Sequence, residues 1–353
     1  MRSNDRIPDL KIVHVIGNFI VGGSAQLVVD LIEGAGDTFR QSVVVPNHPE
    51  PLPYQGLDIQ QFPISRLKDL HTYLRQESPD IVHIHYFMRD AEKYEELTLW
   101  YRAIFDMCAD LDLKVIQNVN VPTTPVISPS VRHNVYVSDY VLGNFKPEEG
   151  PAASVIYPGS DLDHFTYSEI ASESKNIGMV YRLEKDKLSE DSIEVFIRVA
   201  QLSPGTRCYI VGGGSLLPHF KERVRQENLD AQFEFTGYVS YSELPRIYTQ
   251  FSVFVAPIHD ESFGQVTPFA MGRGLCVAAY DTGALPEILG SRDAIAPVGD
   301  VEALADLVIG LLGDPDRRRS IAKANSERAN KLFTRESMVT AYKELYMSLL
   351  LAN

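Results

Sequence analysis

Long hydrophobic runs and cysteine pairs are both missing from this sequence. Its apolar runs, such as Ile12–Ile16 and Val253–Pro257, have the length of strands and fall far short of the ~18 residues that cross a membrane. The N-terminus, Met1–Leu10, carries two aspartates beside its two arginines and no small-residue cleavage site, which is not typical of a signal peptide. Cysteine occurs three times and never as a C-x-x-C pair. This excludes a disulfide-stapled miniprotein and indicates reduced, buried thiols in a cytoplasmic protein.

Positive charge is also scarce. The chain carries 33 lysines and arginines against 47 aspartates and glutamates, and residues 1–160 and the remainder each have a net charge of −7. A chain that is acidic in both halves lacks the broad cationic face that holds a phosphate backbone. We therefore expect no nucleic-acid partner and at most weak association with a membrane.

The composition is that of a globular protein, and the length of 353 residues suffices for two domains. Strand-length apolar runs alternate with amphipathic runs of helical period, such as Ser24–Glu33 with Ser24 as N-cap, Ser65–Glu77 and Ser189–Leu202. This alternation predicts parallel sheets in an α/β, doubly wound fold. The predicted strands are Lys11–Ile16, Gln41–Val45, Asp58–Phe62, Ile81–His85, Lys114–Asn118, Asn134–Val137 and Ser154–Tyr157, then Ile177–Tyr181, Cys208–Val211, Phe233–Thr236, Val253–Ala256, Cys276–Ala279 and Ala294–Ala296.

A polar segment, Phe165–Lys175, separates the two series of strands and is predicted to be a linker. The sequence thus predicts two Rossmann-like domains, at 1–165 and 166–335, that face a central cleft. The C-terminal helix, at about 336–353, is a candidate to pack back on the N-terminal domain. Ligands of such sheets bind beyond the carboxyl ends of the strands, so residues at those ends are the candidates for chemistry.

Two groups of residues lie at strand ends in the first half. Gly22 and Gly23 precede a predicted helix, where close backbone approach and helix N–H groups suit an anion, although an ordinary strand-to-helix turn has the same residues. His83 and His85 lie on one face of a predicted strand, where His85 either touches a substrate or fills a structural position. We expect no metal there, because no third ligand clusters with them in the sequence.

Two further groups lie at strand ends in the second half. Arg182 and Lys187 are spaced so that two cations can converge on one diphosphate, although a solvated charge run has the same appearance. Glu261 lies between an apolar strand and a helix, where a carboxylate either faces a ligand or caps the helix. Gly264 and the amides after it are placed to receive a phosphate.

Taken in order, these motifs resemble the retaining glycosyltransferases of the GT4 family, which have the GT-B fold. The resemblance covers nearly the whole chain; each motif alone is weakly specific, but six in the right order are a strong signal. The six motifs are the pair Gly22-Gly23, DIVHIH (80–85), VIYPGSDLDHF (155–165), VYRLEKDK (180–187), FTGYVSYSEL (235–244) and PVGDVEALADLV (297–308).

The resemblance implies an acceptor-binding N-terminal domain and a donor-binding C-terminal domain. It implies that two cations bind the diphosphate and neutralise the leaving nucleotide, so that no metal or other cofactor is required. Glu261 would be the first glutamate of the family's E-x7-E motif and would hold hydroxyls of the sugar. The implied catalytic residues are Glu261, Arg182, Lys187 and His85. The implied donor-binding residues are Gly22, Gly23, Arg182, Lys187, Glu261, Ser262, Phe263, Gly264 and Gln265.

The sequence departs from the family where the second glutamate of that motif is due. Phe269 stands there and cannot accept a hydrogen bond from a ribose, and Pro268 before it fits best in a first helical turn. Losing one charged hydrogen bond weakens binding by about 1.5–3 kcal/mol. Tyr181 stands where the family often has glycine, Asn120 lies near where it often has histidine, and Pro158 replaces the usual asparagine.

The resemblance implies a retaining hexosyltransferase that uses a nucleotide sugar such as UDP-glucose or GDP-mannose. The acceptor would be a sugar, glycan or lipid-linked hydroxyl, in glycan, polysaccharide or glycolipid synthesis. A front-face reaction is favoured, because no carboxylate is clearly placed as a nucleophile. Two other functions remain open: a diverged partner subunit with little or no activity, which Phe269 suggests, and a nucleotide-sugar epimerase with the GT-B fold. Phe87–Tyr101 and Asn120–Val131 are the candidate acceptor surfaces.

Overall fold

The computed structural model describes residues 10–20, 22–47, 54–88, 92–165 and 175–351. The chain divides into two compact units. The first unit is Met1–Gly159 with Arg335–Asn353, and the second unit is Ser160–Thr334. The division therefore falls at 159/160 rather than at the sequence-based boundary of 165/166.

The first unit contains a parallel sheet of seven strands in the order β3-β2-β1-β4-β5-β6-β7. The chain runs outward from β1 to β3 and then returns to place β4 on the other side of β1. The topological switch point of this sheet therefore lies between β1 and β4. The strands are β1 (Lys11–Ile16), β2 (Arg40–Val45), β3 (Ile59–Gln61), β4 (Ile81–Tyr86), β5 (Val115–Val119), β6 (Val131–Tyr136) and β7 (Ala152–Val155).

Helices cover both faces of this sheet, so the residues of its central strands are buried on both sides. Val13 and Val15 of β1 pack with Trp100 in one core cluster, and Ile12 of the same strand packs with Leu27 in another. The period of two along a strand sends alternate side chains to opposite faces, which explains the two clusters. The first four helices are α1 (Gly23–Ala35), α2 (Leu67–Glu77), α3 (Glu95–Asp110) and α4 (Asp139–Phe145).

The second unit contains a parallel sheet of six strands in the order β10-β9-β8-β11-β12-β13. The chain returns across β8 to form β11, so the switch point lies between these two strands. The strands are β8 (Ile177–Val180), β9 (Cys208–Val211), β10 (Phe233–Gly237), β11 (Val253–Ala256), β12 (Cys276–Tyr280) and β13 (Ile295–Ala296). The helices are α5 (Ser192–Leu202), α6 (Leu217–Gln226), α7 (Leu244–Tyr248), α8 (Val266–Gly272), α9 (Leu285–Leu289), α10 (Val301–Gly313) and α11 (Pro315–Leu332).

The last helix, α12 (Arg335–Leu351), belongs to the first unit although it follows the second unit in the chain. It packs on α1, and Val339 lies against Gly34 so closely that a Cβ on Gly34 would approach the Val339 side chain to 2.5 Å. Tyr342 and Tyr346 are fully buried in the core cluster of Ile12 and Leu27. The first unit is therefore completed by residues from the C-terminal end of the chain.

The structure confirms every predicted strand and corrects several boundaries. The strand predicted at Asn134–Val137 begins three residues earlier, and helix α1 begins at Gly23 rather than after Ser24. Ser24 is not the N-cap, because the amide of Gln26 already donates to the carbonyl of Gly22 at 2.9 Å, which makes Gly22 the N-cap and starts the helix two residues earlier.

The linker prediction is wrong at its first residue. Phe165 ends a short 3-10 helix and is fully buried, and residues 166–174 of the predicted linker lie outside the described residues. The three cysteines, Cys108, Cys208 and Cys276, are unpaired and buried, as expected. No helix within the described ranges is both long enough and apolar enough to cross a membrane.

Candidate active site

Two loops that carry candidate residues predicted from the sequence meet at the switch point of the second unit. The loop after β8 carries Arg182 and Lys187, and the loop after β11 carries Glu261 and Gly264. Since β8 and β11 are hydrogen-bonded neighbours, both loops leave the same edge of the sheet side by side. The amide of His259 donates to the carbonyl of Lys187 at 3.1 Å and ties the two loops to each other.

A partly buried ion pair lies where these loops meet. Lys187 Nζ donates to Glu261 Oε1 at 2.7 Å and to the carbonyl of Asp260 at 3.3 Å, and the Ser262 amide donates to the same carboxylate oxygen at 3.0 Å. The Glu261 side chain is 4% exposed and that of Lys187 is 23% exposed. A carboxylate so far from water needs its cation, because an unpaired buried charge is strongly destabilising. The pair therefore fixes one positive and one negative group at the carboxyl edge of the sheet.

Two glycines hold the Glu261 backbone and carboxylate from either side. Gly264 has φ of +74°, and a Cβ there would lie 2.3 Å from Glu261 Oε2. Gly283 has φ of +53°, and a Cβ there would lie 2.1 Å from the Glu261 carbonyl oxygen, which accepts a hydrogen bond from Ala284. Both positions require left-handed backbone and have no room for a side chain, so Glu261 is held in a preformed position.

Tyr181, the residue directly after β8, lies close to Glu261. It is buried, and burial together with the negative charge of Glu261 raises the pKa of its phenol far above the usual value. The phenol therefore stays neutral next to the carboxylate. It adds bulk below the site without adding charge.

Arg182 lies in a different environment from Lys187. Its side chain is 60% exposed, and its guanidinium bonds Asp186 at 2.8 Å. An ion pair in water contributes at most about 1 kcal/mol, so an incoming anion can displace Asp186 from the guanidinium at little cost. Arg182 thus remains available to a ligand, whereas Lys187 already has a buried partner.

The residues after Glu261 form a tight turn into α8. Ser262 and Phe263 are buried, and the Phe263 ring packs edge-on against Phe333 with ring centroids 5.4 Å apart. Gln265 is half-buried and immediately precedes α8. The side chain of Phe263 is therefore part of the core, and only its backbone is placed to meet a ligand.

Phe269 fills its position with an aromatic contact rather than a polar one. Its ring stacks on Phe165 with centroids 4.3 Å apart and an interplanar angle of 9°, and Tyr241 packs edge-on against it at 5.7 Å. Pro268 is the third residue of α8, in the first turn, as expected. The position where the family places a ribose-binding glutamate is thus occupied by a buried aromatic cluster.

One exposed aromatic residue at this edge was missed by the sequence analysis. Tyr238 follows β10, exposes 72% of its surface and packs its ring on Gly213 of the glycine loop after β9. The Leu183 amide donates to the Gly213 carbonyl at 2.9 Å, which connects this loop to the Arg182 loop. The signal was present in the sequence as an aromatic residue within FTGYVSYSEL, directly after a strand end.

In the first unit, the glycine pair and His85 have different surroundings. Gly22 and Gly23 are exposed at the start of α1, and the first turn of α1 carries no acidic residue. His85 is fully buried, and its Nε2 lies 3.2 Å from Nδ1 of His14. The structural interpretation of His85 is therefore favoured over contact with a substrate, since both of its ring nitrogens lie in the interior.

A cavity of about 320 Å³ opens at the carboxyl ends of β1, β2 and β3 in the first unit. Its wall includes the first turn of α3, with Glu95 and Glu96, and ends at the buried ring of Trp100. Six of its lining residues fall within the candidate acceptor surface Phe87–Tyr101, whereas Asn120–Val131 contributes none. The lining residues are Gly17, Pro46, Asn47, Pro63, Ile64, Lys93, Tyr94, Glu95, Glu96, Leu97 and Trp100.

Comparisons with known proteins agree with this geometry. Residues 163–328, nearly all of the second unit, match the family of glycosyl transferases group 1. A glycogen synthase of Mycobacterium tuberculosis is 26% identical over 199 residues, which are 55% of this chain and 48% of that protein. The chain thus spans about half the length of the curated relatives that it matches first.

Solved structures resemble the chain over nearly its full length. A sucrose-phosphate synthase from Thermosynechococcus elongatus has a TM-score of 0.78 at 18% identity, covering 98% of this chain and all of that one. The HepE protein of Anabaena, solved in complex with UDP, has a TM-score of 0.78 at 14% identity and covers 96% of this chain and all of that one. The two Rossmann-like units are therefore those of the GT-B fold. The chain therefore has the GT-B fold, and residues 163–328 of its second unit match the group 1 glycosyl transferases.

Proposed function

We propose that this chain transfers a hexose from a nucleotide-diphosphate sugar to an acceptor hydroxyl, with retention of the anomeric configuration. The observation that carries the proposal is the Lys187–Glu261 pair, preformed at the switch point of a group 1 domain. A buried carboxylate suits the hydroxyls of a sugar, and the adjacent cations suit a diphosphate.

The donor is bound through its diphosphate without a metal ion. The exposed guanidinium of Arg182 offers a two-pronged contact to phosphate oxygens, and Lys187 supplies a second positive charge close by in the same loop. Together they neutralise the negative charge that develops as the nucleotide leaves. Gly22 and Gly23, at the exposed start of α1, leave the first backbone amides of this helix open to an anion.

The nucleoside is held chiefly by packing. Phe269 accepts no hydrogen bond, so a ribose gains no carboxylate contact from α8. Tyr238 offers a flat, exposed ring at the edge of the sheet, which suits stacking with a base. The complex of HepE with UDP makes uridine the first nucleotide to test.

Catalysis follows a front-face course in this proposal. Glu261 orients the sugar hydroxyls, and Lys187 and Arg182 stabilise the departing phosphate, whose oxygen takes the proton of the acceptor hydroxyl. The acceptor occupies the cavity at β1, β2 and β3, where Glu95 and Glu96 can bind hydroxyls of a sugar or glycan. The product belongs to glycan, polysaccharide or glycolipid synthesis, and the buried, unpaired cysteines suit a cytoplasmic location.

Calorimetric titration with UDP, GDP, ADP and dTDP tests the donor site. We expect one nucleotide to bind the wild type and to bind Arg182→Ala at least tenfold more weakly. Lys185→Ala is the matched control, because Lys185 is an exposed cation of the same loop that pairs with Glu190. Equal binding by both variants, or no binding of any nucleotide by the wild type, would contradict the proposal.

A non-catalytic partner subunit is the second candidate, and Phe269 is the observation that favours it. Phe269→Glu is a poor test of it, because it would place a carboxylate among buried rings. A measurement of donor turnover distinguishes the partner subunit from the transferase. Release of nucleotide from one donor in the presence of an acceptor rejects the subunit interpretation, and binding without turnover across all donors and acceptors supports it. Conversion of a donor to its epimer without an acceptor would identify an epimerase.

A further inference from the structure

Three histidines meet inside the first unit, on one face of its sheet. His14 lies on β1, and His83 and His85 lie on β4, which pairs with β1 in parallel so that His14 is opposite His83. Their side chains share a face because alternate residues of a strand point to the same side. All three are fully buried, and one ring nitrogen of each lies within 4.8 Å of the others.

The hydrogen bonds around the cluster direct lone pairs into it. Nε2 of His14 lies 3.0 Å from Gln41 Oε1, and an amide oxygen can only accept, so His14 Nε2 carries the proton and His14 Nδ1 carries a lone pair. That lone pair lies 3.2 Å from Nε2 of His85. His83 uses Nδ1 to bond the hydroxyl of Tyr346 on α12 at 2.8 Å. The outward nitrogens of His14 and His83 are therefore held by polar partners, as is usual for histidines that bind metals.

Two ring nitrogens of the cluster have no partner within the described part of the chain. They are Nε2 of His83 and Nδ1 of His85, and both are buried. A buried polar atom without a partner is destabilising and rare in folded proteins. A hydrogen-bonded chain of imidazoles alone leaves Nε2 of His83 unsatisfied, so a group that accepts its lone pair would complete the cluster.

The imidazoles are in the form that metals bind. Burial lowers the pKa of all three, that of His14 to about 4, so they are neutral at pH 7. Within the described ranges no carboxylate or thiol joins the group. Three imidazoles suit Zn²⁺ and its neighbours in the first transition series, with water as a fourth ligand. Two nitrogens on one tetrahedral Zn²⁺ lie roughly 3.3 Å apart, close to the observed separation of His14 and His85.

We propose that His14, His83 and His85 bind one zinc-class transition-metal ion. The site has a structural role, because it joins β1 to β4 and, through the Tyr346 hydroxyl, fixes α12 on the sheet. It takes no part in neutralising the diphosphate, which involves Lys187 and Arg182 of the second unit. The sequence alone predicts no metal, because His83 and His85 have no third ligand near them in the chain, and the pairing of β1 with β4 supplies His14.

The test is metal binding by the full chain, prepared without a histidine tag and stripped with a chelator. Titration with Zn²⁺ against a chromophoric chelator should show one ion per chain, and Zn²⁺ should raise the Tm. His83→Gln should abolish binding, and Tyr346→Phe should weaken it roughly 10- to 100-fold through loss of the outer partner. His133→Gln is the matched control, because His133 is a half-buried histidine on β6 of the same sheet that bonds Ser154, and it should bind Zn²⁺ as the wild type does.

Co²⁺ provides a measurement that does not depend on a variant folding. The wild type should bind one Co²⁺ with the intense visible absorption of a four-coordinate site, and Zn²⁺ should displace it. Absence of stoichiometric binding at micromolar Zn²⁺, a six-coordinate Co²⁺ spectrum, or equal binding by folded His83→Gln would each overturn the proposal and leave a metal-free imidazole cluster.

Discussion

The two sheets of this chain have the same kind of switch point, but the titratable side chains near it are buried in one sheet and partly exposed in the other. At β1 and β4 the three histidines lie on the face of the sheet, under α12, and are fully buried. At β8 and β11 the charged groups lie in the loops beyond the strand ends, where Arg182 remains exposed. The difference indicates that the position of a titratable residue relative to its strand decides whether its side chain is buried or can meet a ligand. Residues within the strand become part of the core, and residues a few positions beyond it meet ligands.

The largest expected effect comes from breaking the buried pair of the second unit. Lys187→Ala leaves the Glu261 carboxylate buried without its cation, which should lower the free energy of unfolding by about 3–5 kcal/mol. Lys185→Ala, which removes an exposed pair from the same loop, should change it by less than about 1 kcal/mol. Urea denaturation measures both. Similar losses in the two variants would show that Glu261 is not held by Lys187.

Acid should destabilise the first unit. The pKa of His14 is lowered from 6.5 to about 4 in the folded chain, so the unfolded chain binds more protons between those values. The contribution of neutral His14 to the free energy of unfolding is therefore fully present above pH 6.5. It is lost as the pH drops toward 4, and its size is about 3 kcal/mol. Hydrogen exchange in the presence of a chelator should show protection lost first in β1 and β4. Loss of hydrogen-exchange protection that begins in β8 and β11 would contradict this prediction.

Replacing a glycine beside Glu261 should have a smaller but specific effect. Gly264→Ala and Gly299→Ala both place a side chain on left-handed backbone, at φ of +74° and +77°. A Cβ at Gly299 meets no described atom within 4 Å, whereas one at Gly264 meets the Glu261 carboxylate. Gly299→Ala should cost about 1–2 kcal/mol from the backbone alone. Gly264→Ala should cost more and weaken donor binding, as calorimetry would show.

The smallest effect is expected at Phe269. Phe269→Leu keeps an apolar side chain but removes the stacked contact with Phe165, and should cost about 1 kcal/mol of stability. Nucleotide affinity should change less than twofold, because the ring offers no hydrogen bond to a ribose. A large loss of affinity with little loss of stability would show that the ring itself contacts the nucleotide.

Much of the fold followed from local pattern. The alternation of apolar runs with amphipathic runs was enough to predict the strands, because burial on both faces imposes a continuous apolar run on each parallel strand. The boundaries were less accurate. Ser24 was expected to cap α1, but the backbone of Gly22 already begins the helix. Phe165 was assigned to a polar linker, yet it packs against an aromatic ring of α8.

The sequence by itself determined the α/β class, the two doubly wound sheets and the placement of Arg182, Lys187 and Glu261 at strand ends, since each depends on residues close together in the chain. Only the tertiary structure decided which groups meet. It paired Lys187 with Glu261, enclosed His85 in the interior, and joined His14 to His83 and His85. Contacts of this kind depend on strand order and on α12 returning to the first unit, and no local pattern encodes either.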